Sequence, residues 1–459
     1  MSKKTIADSP CAYVYSLRNT STAPAELIQR HLPDVDAGRI LIKPNWVKHQ
    51  ENEAFPIEAM VTDSELLDAA VMACLEKYPH ARAITVGDVP LQSCHWQKLI
   101  AQTGLNRLIT KYSRYSRPKI QFLDLRREKF TSVGGFAQQV DDGEPGDPLG
   151  YHEVRLDHTS FLEPISHQRN RFRVSDYDHR LTVSSHAPGV HRYLIARSVL
   201  EADLIVNMPK MKTHKKAGIT GALKNLVGIN GQKAYLVHYR RGTPRSDGDE
   251  FPPDASVAVR VQVRLREFLQ KRSRLAFGIS RPLWHLIRRT YGIQVHGTAE
   301  NLGKRFYIAA GSWYGNDTIW RMVYDLNKII LYASREEGKL SPRPQRSYWA
   351  ILDGVVAGEG NGPLQPLPVR LGILAFSGDP FVMDSLMARL MGFDFQKIPQ
   401  LANMERFADT TWGQFDPQAI PIWLDGETYR GLSSVPILHF FLPPPGWKDH
   451  IEVDTKRRS

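Results

Sequence analysis

The sequence predicts an α/β fold: a mostly parallel sheet with helices on both faces, and a second lobe or antiparallel insertion across a cleft. Short β-rich runs alternate with amphipathic helical stretches, which is the pattern of a parallel sheet. Several runs end in polar turns that contain glycine or proline, as parallel strands do where they present ligands. With 459 residues, the chain is longer than one usual domain.

The first predicted unit is a strand, a helix and a second strand. Residues 39–46 end in the turn KPN, and residues 83–88 end in Gly87 and Asp88. Between them, residues 63–75 carry apolar side chains at helical spacing. This predicted helix begins with the sequence TDSE, which is typical of a helix cap. This order predicts a βαβ unit.

Three later runs follow the same pattern. An apolar run at residues 204–206 leads into a segment rich in lysine and glycine, and further runs end at residues 350–354 and 371–379. Because the carboxyl ends of parallel strands meet at one edge of a sheet, we expect all five runs to end at a single site.

Changes in composition divide the chain into five segments. In chain order these are a first α/β segment at 1–117, a β-rich insertion or lobe at 118–190, a lysine- and glycine-rich site segment at 191–256, a basic amphipathic helical insertion at 257–300, and an α/β segment at 301–459 that completes the body.

The net charge of +12 and the pI of about 9.5 favour anionic partners. Nucleic acid is an unlikely partner, because the chain lacks zinc-finger spacing, an RNA-recognition signature and a basic region with heptads. The basic helical stretch at 264–289 could dock on an anionic membrane, or it could pack on the body with its basic side chains in water.

The polar first ten residues, three cysteines without CxxC spacing, and the lack of a long apolar run predict a cytoplasmic protein, with peripheral attachment to the inner face of the membrane as the alternative.

Residues 207–228 are the predicted functional centre. Lys224 follows a glycine loop, so we expect it on the first turns of a helix, where the backbone N–H groups favour an anion. A buried lysine can act as a base or a nucleophile. His214 lies among lysines, whose charges would keep it neutral and able to move a proton. Lys224 and His214 are therefore the candidate catalytic residues. For Lys210, Lys212, Lys215 and Lys216 the alternative is a solvated basic loop.

Other polar residues at strand ends and in the aromatic segment are candidates for substrate binding. They are Lys43, Asn45, Lys210, Lys212, Thr220, Asn225, Trp313, Asn316 and Asn361.

A divalent metal is the one cofactor for which the sequence offers ligands. Asp353 and Glu359 lie in a glycine-rich stretch at 352–363, and Asp88 ends a predicted strand. Carboxylate oxygens suit magnesium, whereas the alternative is a tight turn whose carboxylates have protein partners.

The KPN turn, the PKMKTH and GALKNLVG sequences within 209–228, and the glycine-rich stretch at 353–363 resemble the bacterial domain-of-unknown-function 362 family. Many members of that family carry a four-cysteine ferredoxin-like module that this sequence does not have, so no iron–sulfur cluster is expected.

A fainter similarity is to the nickel-pincer lactate racemase family. It implies a cleft between two α/β domains that holds an anionic cofactor or substrate, with Lys224 as the tether and His214 beside it. The other histidines of that family have no counterpart by motif, so nickel is not carried over.

Together these features predict an uncharacterised enzyme that binds an anionic small molecule, phosphorylated or carboxylated, at the lysine-rich segment. Transfer, isomerisation and hydrolysis are the reactions that such groups could serve. The alternative is a non-catalytic protein that binds anions or a membrane surface. The sequence leaves the reaction class and the oligomeric state open.

Overall fold

The structure, a computed structural model, describes residues 10–133, 136–139, 146–175, 177, 179–257, 259–261, 263–264, 308–336, 338–407 and 411–454. Most of the predicted basic helical insertion, from residue 265 to 300, lies outside these ranges, and so does most of the proposed membrane-docking stretch.

One large sheet contains twelve of the strands. They are β1 (Ala12–Ser16), β2 (Arg39–Lys43), β3 (Ala83–Asp88), β4 (Lys119–Asp124), β11 (Leu204–Asn207), β12 (Lys210–His214), β13 (Gly218–Ile219), β15 (Ser347–Asn361), β16 (Gln365–Val369), β17 (Ile373–Ser377), β18 (Pro421–Leu424) and β19 (Glu427–Arg430).

The strand order along the sheet is β19-β18-β1-β17-β15-β11-β2-β3-β4. The five strands from β15 to β4 run parallel to one another, and β17 pairs antiparallel with both β15 and β1. Beyond the main body, the long strand β15 pairs with β12 and β16. The predicted mainly parallel α/β sheet is confirmed.

Helices cover both faces of the sheet, as predicted. They are α1 (Pro24–His31), α2 (Ser64–Lys77), α3 (Trp96–Thr103), α4 (Leu105–Tyr112), α5 (His179–Ser185), α6 (Arg197–Leu200), α7 (Gly221–Asn225), α8 (Ile319–Tyr332), α9 (Pro380–Leu390) and α10 (Pro399–Ala402). Alternate strand residues enter two separate cores: Leu41 and Ile205 pack with α8 and α9, whereas Ile40 and Val206 pack with α1 to α4. This alternation follows from the two-residue period of a strand.

The first βαβ unit forms as the sequence predicts. Helix α2 begins after Asp63, whose side chain accepts hydrogen bonds from the N–H groups of Glu65 and Leu66. It connects β2 to β3, which pair in parallel.

The expectation that all five predicted runs end at one edge is wrong for the last. β2, β3, β11 and β15 are parallel and end on the same side, but β17 runs antiparallel to β15. The end of β17 therefore lies at the opposite edge, where Asp379 caps α9 by accepting hydrogen bonds from Phe381 and Val382.

Three smaller antiparallel sheets, which together with α5 we call the antiparallel lobe, lie between β4 and β15 in the chain. They comprise β5 (Phe130–Val133) with β6 (Phe136–Gln139), β7 (Tyr151–Arg155) with β10 (Val190–Ala196) and β9 (His186–Ala187), and β8 (Phe172–Arg173) with β14 (Tyr239–Arg240). Side chains of β7 and β10 join the core that covers one face of the large sheet. The predicted boundary at residue 118 falls just before β4, which belongs to the large sheet.

Among the described residues, no helix is long and apolar enough to cross a membrane.

Candidate functional site

The lysine-rich segment continues past β11 as a second strand, β12. In β12 the alternate residues Lys210, Lys212 and His214 are polar, and they are separated by Met211 and Thr213. Because alternate strand residues share a face, this spacing places three basic side chains on one side of β12. Met211 enters the hydrophobic core on the other side.

Lys210 is neutralised by an aspartate. Its Nζ lies 2.8 Å from Oδ2 of Asp353 on the neighbouring strand β15, and both side chains are fully buried. Asp353 also accepts hydrogen bonds from the backbone N–H groups of Asp63, at 2.8 Å, and Val355, at 3.1 Å. The pair thus fixes β12 against β15 and the start of α2.

Lys43 forms a second buried ion pair, with Asp88. Its Nζ lies 2.7 Å from Asp88 Oδ1 and donates to the carbonyl of Pro44. Asp88 Oδ2 accepts from the N–H of Trp46 at 2.6 Å. The backbone of Gly228 packs directly on this pair, since a Cβ at position 228 would lie 2.0 Å from Asp88 Oδ1.

Lys212 has no carboxylate partner among the described residues. It donates to Asn45 Oδ1 at 2.7 Å and to the carbonyl of Met60. Burial, followed by the charge of Lys210, lowers the pKa of Lys212 well below its ordinary value. Asn45 in turn donates to Asn225 Oδ1 at 2.8 Å, and Asn225 donates to Asn207 Oδ1 at 2.7 Å. These asparagines bind one another and the backbone, so their polar groups serve to hold β2, β11 and α7 together.

Lys224 differs from these lysines because its amine has no hydrogen-bond or ion-pair partner in the described ranges. The residue lies on α7 and is partly exposed. Burial and then the nearby charge of Lys43 lower the pKa of Lys224 to about 8, against an opposing effect of Asp88. Near neutral pH this amine is therefore mostly charged, yet it can release its proton readily.

The start of α7 is not available to an anionic ligand, contrary to the sequence-based expectation. Asp384 of α9 accepts hydrogen bonds from the N–H groups of Ala222 and Leu223. Its carboxylate fills the space beside Gly221, where a Cβ would lie 2.2 Å from Asp384 Oδ1. Burial raises the pKa of Asp384 to about 8, and its carboxyl group already occupies these two N–H groups.

The hydrogen bonds of His214 define its neutral form. Its Nδ1 accepts from the backbone N–H groups of Lys216, at 3.2 Å, and Ala217, at 3.3 Å. Burial and the charge of Lys224 lower the pKa of His214 well below its ordinary value. The single proton of the neutral ring therefore lies on Nε2, and His214 is arranged to donate a hydrogen bond rather than to accept a proton as a base.

Two further residues of this site were not among the sequence-based candidates, Lys233 and His238. Lys233 is 5% exposed, and its amine has no partner among the described residues. Burial lowers its pKa to about 7; Asp88 opposes this effect and the charge of Lys224 adds to it. Burial and the charges of Lys216, Lys224 and Lys233 lower the pKa of His238 well below its ordinary value. Neither residue lies in a recognisable motif; the signal that could have pointed to them is their position just after the GALKNLVG sequence.

The loop that carries Lys233 and His238 is held by the antiparallel lobe. Thr182 Oγ1 donates to the carbonyl of Ala234 at 2.6 Å, and His186 Nε2 bonds to the carbonyl of Tyr235, also at 2.6 Å. The N–H of Ser175 donates to His238 Nδ1 at 3.3 Å, which leaves the ring proton of neutral His238 on Nε2, as in His214. The lobe thus fixes the loop beside the end of the large sheet.

We refer to Lys43, Lys210, Lys212, Lys224 and Lys233 as the lysine cluster. The charge of Lys210 lowers the pKa of Lys212, and the charge of Lys43 lowers the pKa of both Lys224 and Lys233.

Three of the remaining candidates for substrate binding, Asn316, Trp313 and Asn361, form hydrogen bonds with other residues of the protein. Asn316 donates to the carbonyls of His238 and Gly311, and it accepts from Thr318 and Ile319 at the start of α8. Trp313 Nε1 donates to the carbonyl of Asp249 at 2.9 Å. Asn361 donates to Gln365 at 3.0 Å.

Thr220 is an exception among these candidates. Its hydroxyl is buried and has no hydrogen-bond partner among the residues that the structure describes. It immediately precedes α7, the helix of Lys224.

The three carboxylates proposed as metal ligands do not form a group. Asp88 and Asp353 are the partners of two different lysines. Glu359 accepts from the N–H of Leu442 at 2.9 Å and lies 3.5 Å from His439 Nε2. Within the described ranges, no set of three or more His, Cys, Asp or Glu side chains could hold a metal ion. A metal at these three residues stays a prediction.

Comparison with known proteins supports the family resemblance and adds one short match. The family model described as Domain of unknown function (DUF362) matches residues 162–389. The Thylakoid-associated protein sll1697 of Synechocystis sp. is 42% identical over 57 residues, which is 12% of this chain and 18% of that protein. The chain therefore matches less than a fifth of the length of this relative.

Among solved structures, the lactate racemase apoprotein of Thermoanaerobacterium thermosaccharolyticum is similar at 10% identity, over 83% of this chain and 57% of that one. The TM-score of 0.29 is too low for this similarity to carry an argument.

The matched range contains β11, β12, α7 and β15, and with them Lys210, Lys212, His214, Lys224, Lys233 and Asp353, whereas Lys43 and Asp88 lie before it. Residues 162–389, just under half of this chain, are similar to the DUF362 family.

Proposed function

We propose that this protein is an enzyme that binds a small phosphorylated or carboxylated molecule at the lysine cluster. The observation that carries the proposal is the excess of positive charge there. Lys43 and Lys210 have aspartate partners, but Lys212, Lys224 and Lys233 have no carboxylate partner in the part of the chain that the structure describes.

Unpaired cations in a buried setting are costly unless a ligand or a change in protonation neutralises them. The protein lowers the cost by releasing protons, as the depressed pKa values of Lys224 and Lys233 show. An anion at the cluster would supply the missing negative charge and would favour the protonated amines. The site is therefore suited to a ligand that carries one or two negative charges.

Lys224 and His214 would have complementary roles. The charged amine of Lys224 would pair with the anionic group of the ligand. The Nε2–H of the neutral imidazole of His214 would donate to a ligand oxygen and could stabilise negative charge that develops there. Because the pKa of Lys224 lies at about 8, this amine could also pass a proton to the ligand near neutral pH. Proton transfer as part of an isomerisation or a group transfer is the chemistry that these residues support best.

The test is calorimetric titration of the full chain with phosphate, glycolate and 2-phosphoglycolate. We expect one of these anions to bind, and Lys224→Met to weaken its binding roughly 10- to 100-fold, the range for losing one hydrogen bond to a charged group. Lys98→Met is the matched control, since Lys98 is exposed on α3 and distant in sequence from the cluster. Lys224→Arg should retain part of the affinity.

Equal binding by wild type and Lys224→Met would refute the site, and so would an equal loss in Lys98→Met. Binding without turnover of any anion in a wider substrate screen would leave the non-catalytic alternative, a protein that only binds anions.

A further inference from the structure

We propose that Lys233 is a second reactive amine that forms an imine with the carbonyl carbon of an anionic oxo compound, such as a 2-oxo acid or a phosphorylated aldehyde or ketone. This inference rests on the proposed function, because the anionic group of the same molecule would be held by Lys224. It adds a covalent step and a substrate class.

The surroundings of Lys233 isolate its amine from counterions. The residue is almost fully buried, and no described residue donates to or accepts from its Nζ. The aspartate that acts most strongly on it, Asp88, is already engaged by Lys43 at 2.7 Å. Asp124, which lies opposite Asp88 on the neighbouring strand β4, is bound by Arg126 at 2.9 Å. Neither carboxylate is therefore free to pair with Lys233.

The backbone around Lys233 is fixed. Gln232 precedes it, accepts from the N–H of Ala234 and donates to Glu128 at 2.9 Å. Asn230 donates to the carbonyl of Gln232 at 2.7 Å and accepts from the N–H of Leu194 at 2.8 Å. A short 3-10 helix then runs from Lys233 to Tyr235. Such bracing fixes the backbone from which the Lys233 side chain extends.

Two neighbouring amines can divide the work of imine formation. They cannot both be charged cheaply in a buried site, so one tends to be neutral while the other holds a proton. Lys233 titrates at about 7 and Lys224 at about 8. Lys233 is almost fully buried whereas Lys224 is partly exposed, and deeper burial favours the neutral amine at Lys233 and the charged amine at Lys224. Proximity to another cation is a known means of activating a lysine nucleophile.

The step balances without an oxidant or a reductant. The nitrogen lone pair of Lys233 attacks the carbonyl carbon, a C–N bond forms, and a proton moves from nitrogen to oxygen to give a carbinolamine. The ammonium of Lys224 then donates a proton to the hydroxyl, the C–O bond breaks, and water leaves. The products are a protonated imine on Lys233, neutral Lys224 and one water molecule. The total charge is unchanged.

The experiment is reductive trapping on the full chain with glyoxylate and cyanoborohydride at pH 7.5, followed by peptide mapping with mass spectrometry. Lys233 should be alkylated more than about tenfold faster than exposed Lys98, because ordinary exposed lysines are almost fully protonated at this pH. Glycolate has the same carboxylate as glyoxylate, with a hydroxyl in place of the aldehyde. It should therefore bind at Lys224 and slow the labelling of Lys233. Lys224→Arg keeps a cation but cannot release a proton to the carbinolamine hydroxyl, so it should slow the labelling of Lys233, and Lys233→Arg should lose the modification.

Equal rates at Lys233 and Lys98 would overturn the imine proposal. If glycolate still bound to wild type and not to Lys224→Met, the proposed anion site would stand. Trapping that occurred on Lys224 and not on Lys233 would also overturn the assignment. Selective trapping on Lys233 with no glycolate binding would uphold the reactive amine and refute the anion site at Lys224. Circular dichroism of each variant shows whether it is folded.

Discussion

Lys210 and Asp353 form a fully buried ion pair between parallel strands, with 2.8 Å between Nζ and Oδ2. The pair joins two stretches that the sequence separates by 143 positions. The site has more lysines than carboxylates. Because of this pair, Lys210 already has a counterion within the protein.

Removal of one partner should destabilise the protein strongly. Asp353→Ala would leave Lys210 buried without its counterion, which typically costs about 3–5 kcal/mol. Urea unfolding measures the loss. The double variant Lys210→Met, Asp353→Leu should recover much of it, because neither buried charge remains. If Asp353→Ala instead lost a stoichiometric metal and kept its stability, the carboxylate would be a metal ligand rather than a counterion.

The stability of the ligand-free protein should rise with pH from about 7 to 9. The folded pKa values of Lys224 and Lys233, about 8 and about 7, lie below the ordinary value of 10.5. In this window the unfolded chain holds protons that the folded chain has released, so raising the pH favours the folded state. Thermal unfolding of wild type and Lys224→Met isolates the contribution of Lys224, since their difference should shrink as pH rises. A difference that does not vary with pH would contradict the lowered pKa of Lys224.

Anion binding should have the opposite pH dependence. A ligand anion pairs with the charged amine, so affinity should be greatest below pH 8 and fall as Lys224 loses its proton above that value. Calorimetric titration at several pH values measures this. In Lys224→Arg the decline should be displaced to higher pH, because arginine keeps its charge.

Asn316 and Asn361 were both candidates for substrate binding, and the structure predicts different results for them. Asn316 is buried and makes four hydrogen bonds to the backbone, whereas Asn361 is partly exposed and bonds to Gln365. Asn316→Ala should lower the free energy of unfolding by roughly 2–4 kcal/mol, since it leaves buried groups unpaired. Asn361→Ala should cost less than about 1 kcal/mol. Equal stabilities would show that Asn316 does not hold the loop of His238.

Gly228 should not tolerate a side chain, although its backbone conformation is ordinary, with φ of −77°. A Cβ would lie 2.0 Å from Asp88 Oδ1 and 2.7 Å from Lys43 Nζ, so Gly228→Ala would force the ion pair apart and cost about 1–3 kcal/mol or more. Gly426→Ala is the contrasting control, because Gly426 has φ of +90° but open space around it. Its cost should come from backbone strain alone, about 1 kcal/mol. A larger loss at Gly426 would indicate that crowding at Gly228 is relieved by local movement.

Local patterns were sufficient to predict much of the fold. The cap at Asp63 and the spacing of apolar residues after it located α2, and the β-rich runs located β2, β3, β11 and β15. The direction of a strand could not be predicted from its residues. Nothing in residues 371–379 indicates that β17 runs antiparallel to its neighbour β15. That direction depends on the path of the intervening chain.

The sequence identified the lysine-rich segment but could not assign partners. Charges at Lys43 and Lys224 look equivalent in sequence, and the difference between them is Asp88, which a separate strand brings to Lys43. Asp384 occupies the start of α7 from 162 residues away. Lys233 lies outside any motif, and its environment depends on hydrogen bonds from the antiparallel lobe.

The sheet order has a consequence for any attempt to study the residues that the DUF362 model matches as an excised fragment. Residues 162–389 contribute the central strands β17, β15 and β11, whose outer neighbours β1 and β2 come from the first 43 residues. A fragment limited to the matched range would expose the edges of two buried, mainly apolar strands, β17 and β11, and such exposed edges promote aggregation. It would also lack both members of the Lys43–Asp88 pair, and so would retain the free amines while losing the carboxylate nearest to them.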